Sequence, residues 1–153
     1  MNIDALRDHL CDVYPDLCPL FSAEFEDATL VVPAEQLHSA AEDLKTLGFE
    51  RLTMVTAVDY GEVFTLVYRL KSSMLGAGLF LKCDVPRSQP RIESFYDLWP
   101  AADWQEREVF DLFGIEFDGH PDLRRILLPD DWEGHPLRKD YVDENIIRRP
   151  DYI

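Results

Sequence analysis

Cysteine is scarce. Cys11, Cys18 and Cys83 are the three in 153 residues, and no two are spaced as CxxC. An odd set without that spacing argues against a disulfide framework and against a tetrathiolate metal or cluster site, so the thiols read as buried or incidental. Long apolar runs are also missing. Nothing approaches the ~20 consecutive apolar residues that span a bilayer. The first ten residues, MNIDALRDHL, have neither a basic n-region nor the apolar h-region of a secretory signal. The expectation is a cytosolic chain, or one held at a membrane through another protein. Positive charge is short as well: 15 Lys and Arg against 30 Asp and Glu leave a net −15. Such a chain repels nucleic acid and anionic lipid headgroups. Phosphate loops, dinucleotide fingerprints and nucleophile motifs are likewise missing.

The charge is uneven. Residues 1–50 carry eleven acids and two bases, residues 51–100 five acids and six bases, and residues 101–119 six acids and one base. Solubility accounts for this pattern, and so does docking against basic partners. The hydrophobic fraction of 46% suffices for a core, and a single domain of this length buries roughly 70% of its unfolded surface.

Ile3, Leu6, Leu10 and Val13 fall at helical spacing and predict an amphipathic helix that stops near Pro15. Phe21, Ala23 and Phe25 alternate, Glu26-Asp27 turns the chain, and residues 29–32 follow as a second strand of a hairpin. Pro33 suits the first turn of a helix. That helix carries the stripe Leu37, Ala40, Ala41, Leu44 and Leu47, with Gly48 as its stop. From Phe49 the period becomes two. Leu52, Met54 and Thr56 predict one face of a strand. Phe64, Leu66, Tyr68 and Leu70 predict a second strand, and residues 79–85 a third. Consecutive strands with short links pair antiparallel. The order α-β-β-α-β-β-β predicts an α+β fold, a mostly antiparallel sheet with helices on one face. Residues 86–91 read as a loop, residues 92–98 as a short helical turn, and Pro100 as the start of a helix ending at Gly114. Beyond it Pro121, Pro129, Pro136 and Pro150 interrupt the chain. The expected division is an α+β domain over 1–114 and an irregular C-terminal arm over 115–153, draped on its own domain or on a partner.

The densest stretch runs from Glu106 to Tyr141. On a helical wheel Ala102, Val109 and Phe113 define a core stripe with Phe110 and Leu112 beside it, and Glu106 falls inside that stripe. A buried carboxylate needs partners. The expectation is a cation from the arm, Arg124 or Arg125, unless the face is only half buried and Glu106 is solvated. The opposite face carries Trp104, Arg107, Glu108 and Asp111, with Arg107 and Asp111 as an i,i+4 pair. Trp104 among charges is either the centre of an interface or a side chain covered by the arm. His120 and His135 each precede a proline. They lack a third ligand at recognisable spacing and read first as hydrogen-bonded structural groups, with acid–base catalysis by His120 or His135 in a stand-alone enzyme as the alternative. The phrases His120-Pro-Asp-Leu-Arg124-Arg125 and His135-Pro-Leu-Arg138-Lys139 look like two anchors, each with a rigid bend, a leucine to bury and two cations for carboxylates.

At these residues the chain resembles a known family. Glu106-Arg107-Glu108, Asp111-Leu112-Phe113, His120, Arg124 and Ile126-Leu127, followed by GHPLRKDY ending at Tyr141, are similar to the signature of the 30-kDa subunit of respiratory complex I, the C subunit of the bacterial NADH–quinone oxidoreductase. The specific part covers about a third of the chain. The resemblance implies a peripheral-arm subunit of a proton-translocating complex on the cytoplasmic face of a plasma membrane. It implies that this chain holds no metal, flavin or iron–sulfur cluster and has no catalytic residue, the FMN and clusters belonging to partner subunits. It implies packing beside the complex I subunits D (49-kDa type), B and I. The interface and structural residues it points to are Glu106, Arg107, Glu108, Asp111, His120, Arg124, Arg125, His135, Arg138 and Lys139, with Trp104 added from the helical wheel. Shared ancestry with membrane-bound hydrogenases leaves the donor open between NADH, ferredoxin and another carrier.

Overall fold

The computed structural model describes residues 8–9, 11–15, 20–21 and 27–143. Of the expected N-terminal helix, residues 8–9 and 11–13 are helical and Ile3, Leu6 and Leu10 lie outside the described residues, as do Cys18, Ala23 and Phe25.

One five-stranded sheet organises the molecule. Its strands are β1 (Leu20–Phe21), β2 (Asp27–Val31), β3 (Arg51–Asp59), β4 (Val63–Ser72) and β5 (Ala77–Pro86), in the order β1-β2-β5-β4-β3. The hairpin β1–β2 and the meander β3–β4–β5 are antiparallel, as the short links require. The pairing of β2 with β5 is parallel. The excursion from β2 through a helix and two strands is long enough to bring the chain back alongside in the same direction. Alternation puts Leu30, Leu81, Tyr68 and Val55 in one row across the sheet, and Leu79 beside Leu70 and Leu52 in the next, all buried.

The sequence pattern fails at one point in β3. The register shifts between Leu52 and Met54, where the strand carries an extra residue. The inward set is therefore Leu52, Val55, Ala57 and Asp59, not Leu52, Met54 and Thr56.

Helix α1 (Leu37–Thr46) follows a 3-10 turn at Ala34–Gln36 with Pro33 before it. Leu37, Ala40, Ala41 and Leu44 are fully buried, and each leucine contributes about 2 kcal/mol of apolar burial. Gly48, at φ 101, ends it. Helix α2 (Ala102–Phe113) ends at Gly114 in the left-handed region, φ 69, whose N–H donates to the Phe110 carbonyl at 2.8 Å. Both helices pack on the same sheet face. Phe113 meets Phe64 edge-on, and Phe95, from the loop before α2, lies against Tyr68 and His38.

The segment expected as a loop and helical turn is partly strand. Pro86 still belongs to β5, and β6 (Arg91–Glu93) pairs in parallel with β7 (Glu116–Asp118) beyond α2. Only the turn at Phe95–Trp99 remains, its amides bonded back to the Phe95 carbonyl. Arg91 grips Asp118 with Nε at 3.0 Å and Nη2 at 2.6 Å. The two-strand ladder closes a loop around α2 and fixes where the helix begins and where the arm departs. Among the described residues no helix is long and apolar enough to cross a membrane.

Candidate docking site on helix α2 and its arm

Residues 119–143 contain no helix or strand, yet they are bound to the domain through two buried carboxylates. Asp111, on α2, is fully buried. Its Oδ2 accepts the amides of Ile126, Leu127 and Leu128 at 3.1, 2.8 and 2.9 Å, and its Oδ1 accepts Arg125 Nη1 at 2.6 Å. Burial alone would raise this carboxyl. The Leu128 amide, Arg125 and the Leu127 and Ile126 amides outweigh burial and hold it below the usual carboxylate range. Arg125 also reaches the carbonyls of Trp132 and Gly134, both at 3.0 Å, so one guanidinium ties three points of the arm to α2.

Asp59 is the second anchor, at the end of β3. Its Oδ1 accepts Arg87 Nη1 at 2.7 Å and the Gly61 amide at 2.8 Å, and its Oδ2 accepts the Lys139 amide at 2.8 Å. The Arg87 hydrogen bond, followed by the Lys139 amide, holds the Asp59 carboxyl well below its ordinary value. Arg87 turns its other nitrogen to Asp140 in the arm. Between the anchors, Arg138 donates to the carbonyls of Phe113 and Gly114 at 2.5 and 3.3 Å and covers the Phe64 ring. His135 donates from Nδ1 to the Asp111 carbonyl at 2.9 Å, and burial pushes its pKa down. Gly114 makes this closeness feasible. A Cβ there would stand 2.5 Å from the His135 ring and 2.7 Å from Arg138.

The structure sorts the residues singled out in the sequence. Glu106 is fully buried, as its place in the stripe predicts, but its partners are not Arg124 or Arg125. Ser94 Oγ donates to Oε2 at 2.5 Å and the Phe95 amide to Oε1 at 2.8 Å. Burial drives its pKa up to about 7, since the Ser94 and Phe95 bonds offset only part of the cost and Asp103 and Asp97 add repulsion. The expected cation is absent because Arg125 is claimed by Asp111, while Arg124 is exposed and paired with Asp122 at 2.9 Å. Arg107 and Asp111, expected on the outer face of α2, are buried by the arm. Arg107 does not serve as an i,i+4 partner but donates to the carbonyls of Arg124 and Arg125, each at 3.2 Å.

His120 is buried. Its Nδ1 accepts the Asp122 amide at 3.1 Å, so Nε2 carries the proton and faces the Asp103 carbonyl at 3.1 Å. Both ring nitrogens are therefore engaged, which suits a structural histidine. Lys139 contributes its amide, and its ammonium sits 6.0 Å over the Tyr60 ring. Glu108 is exposed. Trp104 is 70% exposed, and the described part of the arm does not cover it. Arg107, one turn on from Trp104, holds the arm at Arg124, and Leu127, further along, is 61% exposed. The missed residues are Asp59, Arg87, Ser94 and Asp140. Only Asp59 had a visible signal, the Asp-Tyr-Gly turn.

Charged side chains thus fix a non-repetitive arm to the domain and leave a large aromatic, Trp104, in solvent. Residues 30–145 match the family described as the respiratory-chain NADH dehydrogenase 30 Kd subunit. The C subunit of NADH-quinone oxidoreductase from Moorella thermoacetica is 51% identical over 115 residues, which are 73% of this chain and 78% of the relative. Among solved structures, a trypsin-resistant fragment (1–134) of Nqo5 aligns over 80% of this chain and all of the fragment, with TM-score 0.69 and 29% identity. A chain of the membrane-bound sulfane sulfur reductase, an archaeal respiratory membrane complex, aligns over 98% of this chain and 95% of its own length, with TM-score 0.83 and 26% identity. The chain belongs to the respiratory-chain NADH dehydrogenase 30-kDa subunit family.

Proposed function

We propose that this chain is the 30-kDa, or C, subunit of a proton-translocating NADH–quinone oxidoreductase, where it scaffolds its neighbours and holds no redox group of its own. In this reading it packs against a 49-kDa-type partner, which helps form the quinone cavity, and near subunits B and I. FMN and iron–sulfur clusters reside in partner subunits, and electrons pass from NADH to quinone through them. The chain attaches peripherally on the cytoplasmic face of a bacterial plasma membrane. The observation that carries the reading is Trp104, exposed beside an arm that Arg107 and Asp111 bind to the domain. A rigid aromatic flanked by fixed charge is how a high-affinity protein interface is commonly centred.

Extraction of host membranes in mild detergent, followed by identification of the chains that co-purify, tests this. Recovery of an NADH-binding flavoprotein in stoichiometric amount is the expected result. One specific observation favours a second reading: the closer structural match of the reductase complex, over nearly the whole chain. That reading is the equivalent subunit of a related membrane complex with another electron donor, and recovery of a nickel–iron large subunit without the flavoprotein would select it. A purified chain that turns over substrate by itself would overturn both.

A further inference from the structure

The sheet has a second face, away from α1 and α2. The strand register places Lys82 between Val31 and Val67, Phe80 beside Arg69, and Thr65 beside Val58. Val31, Val58 and Tyr60 are 47%, 39% and 64% exposed. Val58, Val67 and Phe80 line a shallow depression of about 310 Å³ on this face.

The charges on this face do not follow the rest of the chain. Arg69 lies over the Phe80 ring and gives its charge to Asp27 at 2.6 Å, while Asp84 is held by the Thr65 hydroxyl at 2.5 Å. Lys71 and Lys82 have no acidic partner among the described residues. A chain of net charge −15 thus carries on this partly apolar strand surface two lysines with no acidic partner among the described residues. The complementary occupant carries apolar side chains with carboxylates beside them. Its width is also set. From β2 to β3 the face spans three strand spacings of ~4.8 Å, about 14 Å, close to the ~10–12 Å diameter of one helix with side chains. A second copy is a poor occupant because the apolar side of α1 is buried in its own core and two such chains repel. The same net charge disfavours an anionic membrane surface.

We propose that the open face of the sheet, centred on Val67, Phe80 and Lys82, docks an acidic amphipathic helix of a partner protein. The surface is separate from the Trp104 site and lies on the other side of the sheet, so the chain is held between two partners.

The test uses the native membrane assembly. Benzoylphenylalanine is placed at Val31 or Val58 of the full chain, membranes are irradiated, and the adduct is sequenced. The expected product is one polypeptide, joined within a segment of net negative charge whose apolar residues recur every three to four positions. Lys71→Glu with Lys82→Glu lowers the adduct yield at least ten-fold, whereas Lys82→Arg leaves it unchanged. Should the double variant fail to fold, Lys82→Gln serves in its place and lowers the yield at least three-fold. An adduct only with lipid, with a second copy of the chain or with a basic segment overturns the proposal. So does the absence of a polypeptide adduct, or a yield indifferent to the charge reversal in a folded variant.

Discussion

Glu106 and Asp111 stand five residues apart on one helix, both fully buried, and their environments push them in opposite directions. Asp111 is surrounded by donors and stays charged, while Glu106 has two hydrogen bonds and two acidic neighbours, with its pKa up at about 7. A group whose folded pKa lies above its unfolded 4.5 contributes stability below pH 4.5, and that stability is lost as pH rises through about 7. A rise of this size corresponds to about 3 kcal/mol. Urea unfolding at pH 5 and pH 8 therefore shows the wild type losing about 2–3 kcal/mol relative to Glu106→Gln, and parallel pH profiles would refute the assignment. Asp59 and Asp111 act with the other sign. Their carboxyls are depressed, so their contribution is present above 3.8 and is lost as pH falls through their folded values. Asp111→Ala removes the acceptor of three amides and leaves Arg125 half-buried without its ion partner. The expected loss is about 3–5 kcal/mol in equilibrium unfolding, and an effect under about 1 kcal/mol would show that the arm does not depend on it.

Among the elements, the arm is where sequence and structure part most. Leu37, Ala40, Ala41 and Leu44 announce α1 by period, and the alternation from Phe64 to Leu70 announces β4, because burial against a flat core imposes those periods. The same reasoning placed Glu106 in the interior correctly. It misplaced Arg107 and Asp111, because hydrophobic period reports only the face that meets apolar core. The far side of α2 is covered by a polar arm through charge and backbone bonds, which leave no periodic trace. The partners of Glu106 were illegible for a related reason. Ser94 and Phe95 reach it only because β6 and β7 pair, and three-residue strands are too short to show alternation. The bulge at residues 52–54 shifts inward positions by one without altering composition. The arm itself yields a test by hydrogen exchange. Amides of Ile126, Leu127, Leu128 and Lys139 are bonded to buried carboxylates and should be protected in the isolated chain. Exchange at unprotected rates would mean that ordering requires a partner. Gly114→Ala should remove that protection selectively, since it adds about 1–2 kcal/mol of left-handed backbone strain and meets His135 and Arg138 at once.

At the scale of the whole molecule, the side chains singled out in the α2–arm region act in two ways. Arg107, Asp111, Arg125 and Arg138 are occupied with the chain's own backbone, so their loss acts first on folding and on assembly only as a consequence. Trp104 acts the other way. At 70% exposure it adds little to the fold, and the helix carrying it is fixed by Gln105, which caps the Val55 amide at 2.8 Å, and by the core stripe beneath. Trp104→Ala should therefore leave the unfolding free energy of the isolated chain within about 0.5 kcal/mol of wild type. If Trp104 centres an interface, its truncation costs about 2 kcal/mol or more of association, roughly a thirty-fold weakening. The comparison is made on one pair of samples, with thermal unfolding of the purified variant and its recovery in the detergent-extracted membrane assembly against wild type. An intact fold with sharply reduced recovery supports docking through α2. Full recovery would remove Trp104 from the interface, and a matching loss of fold and recovery would make it a structural residue.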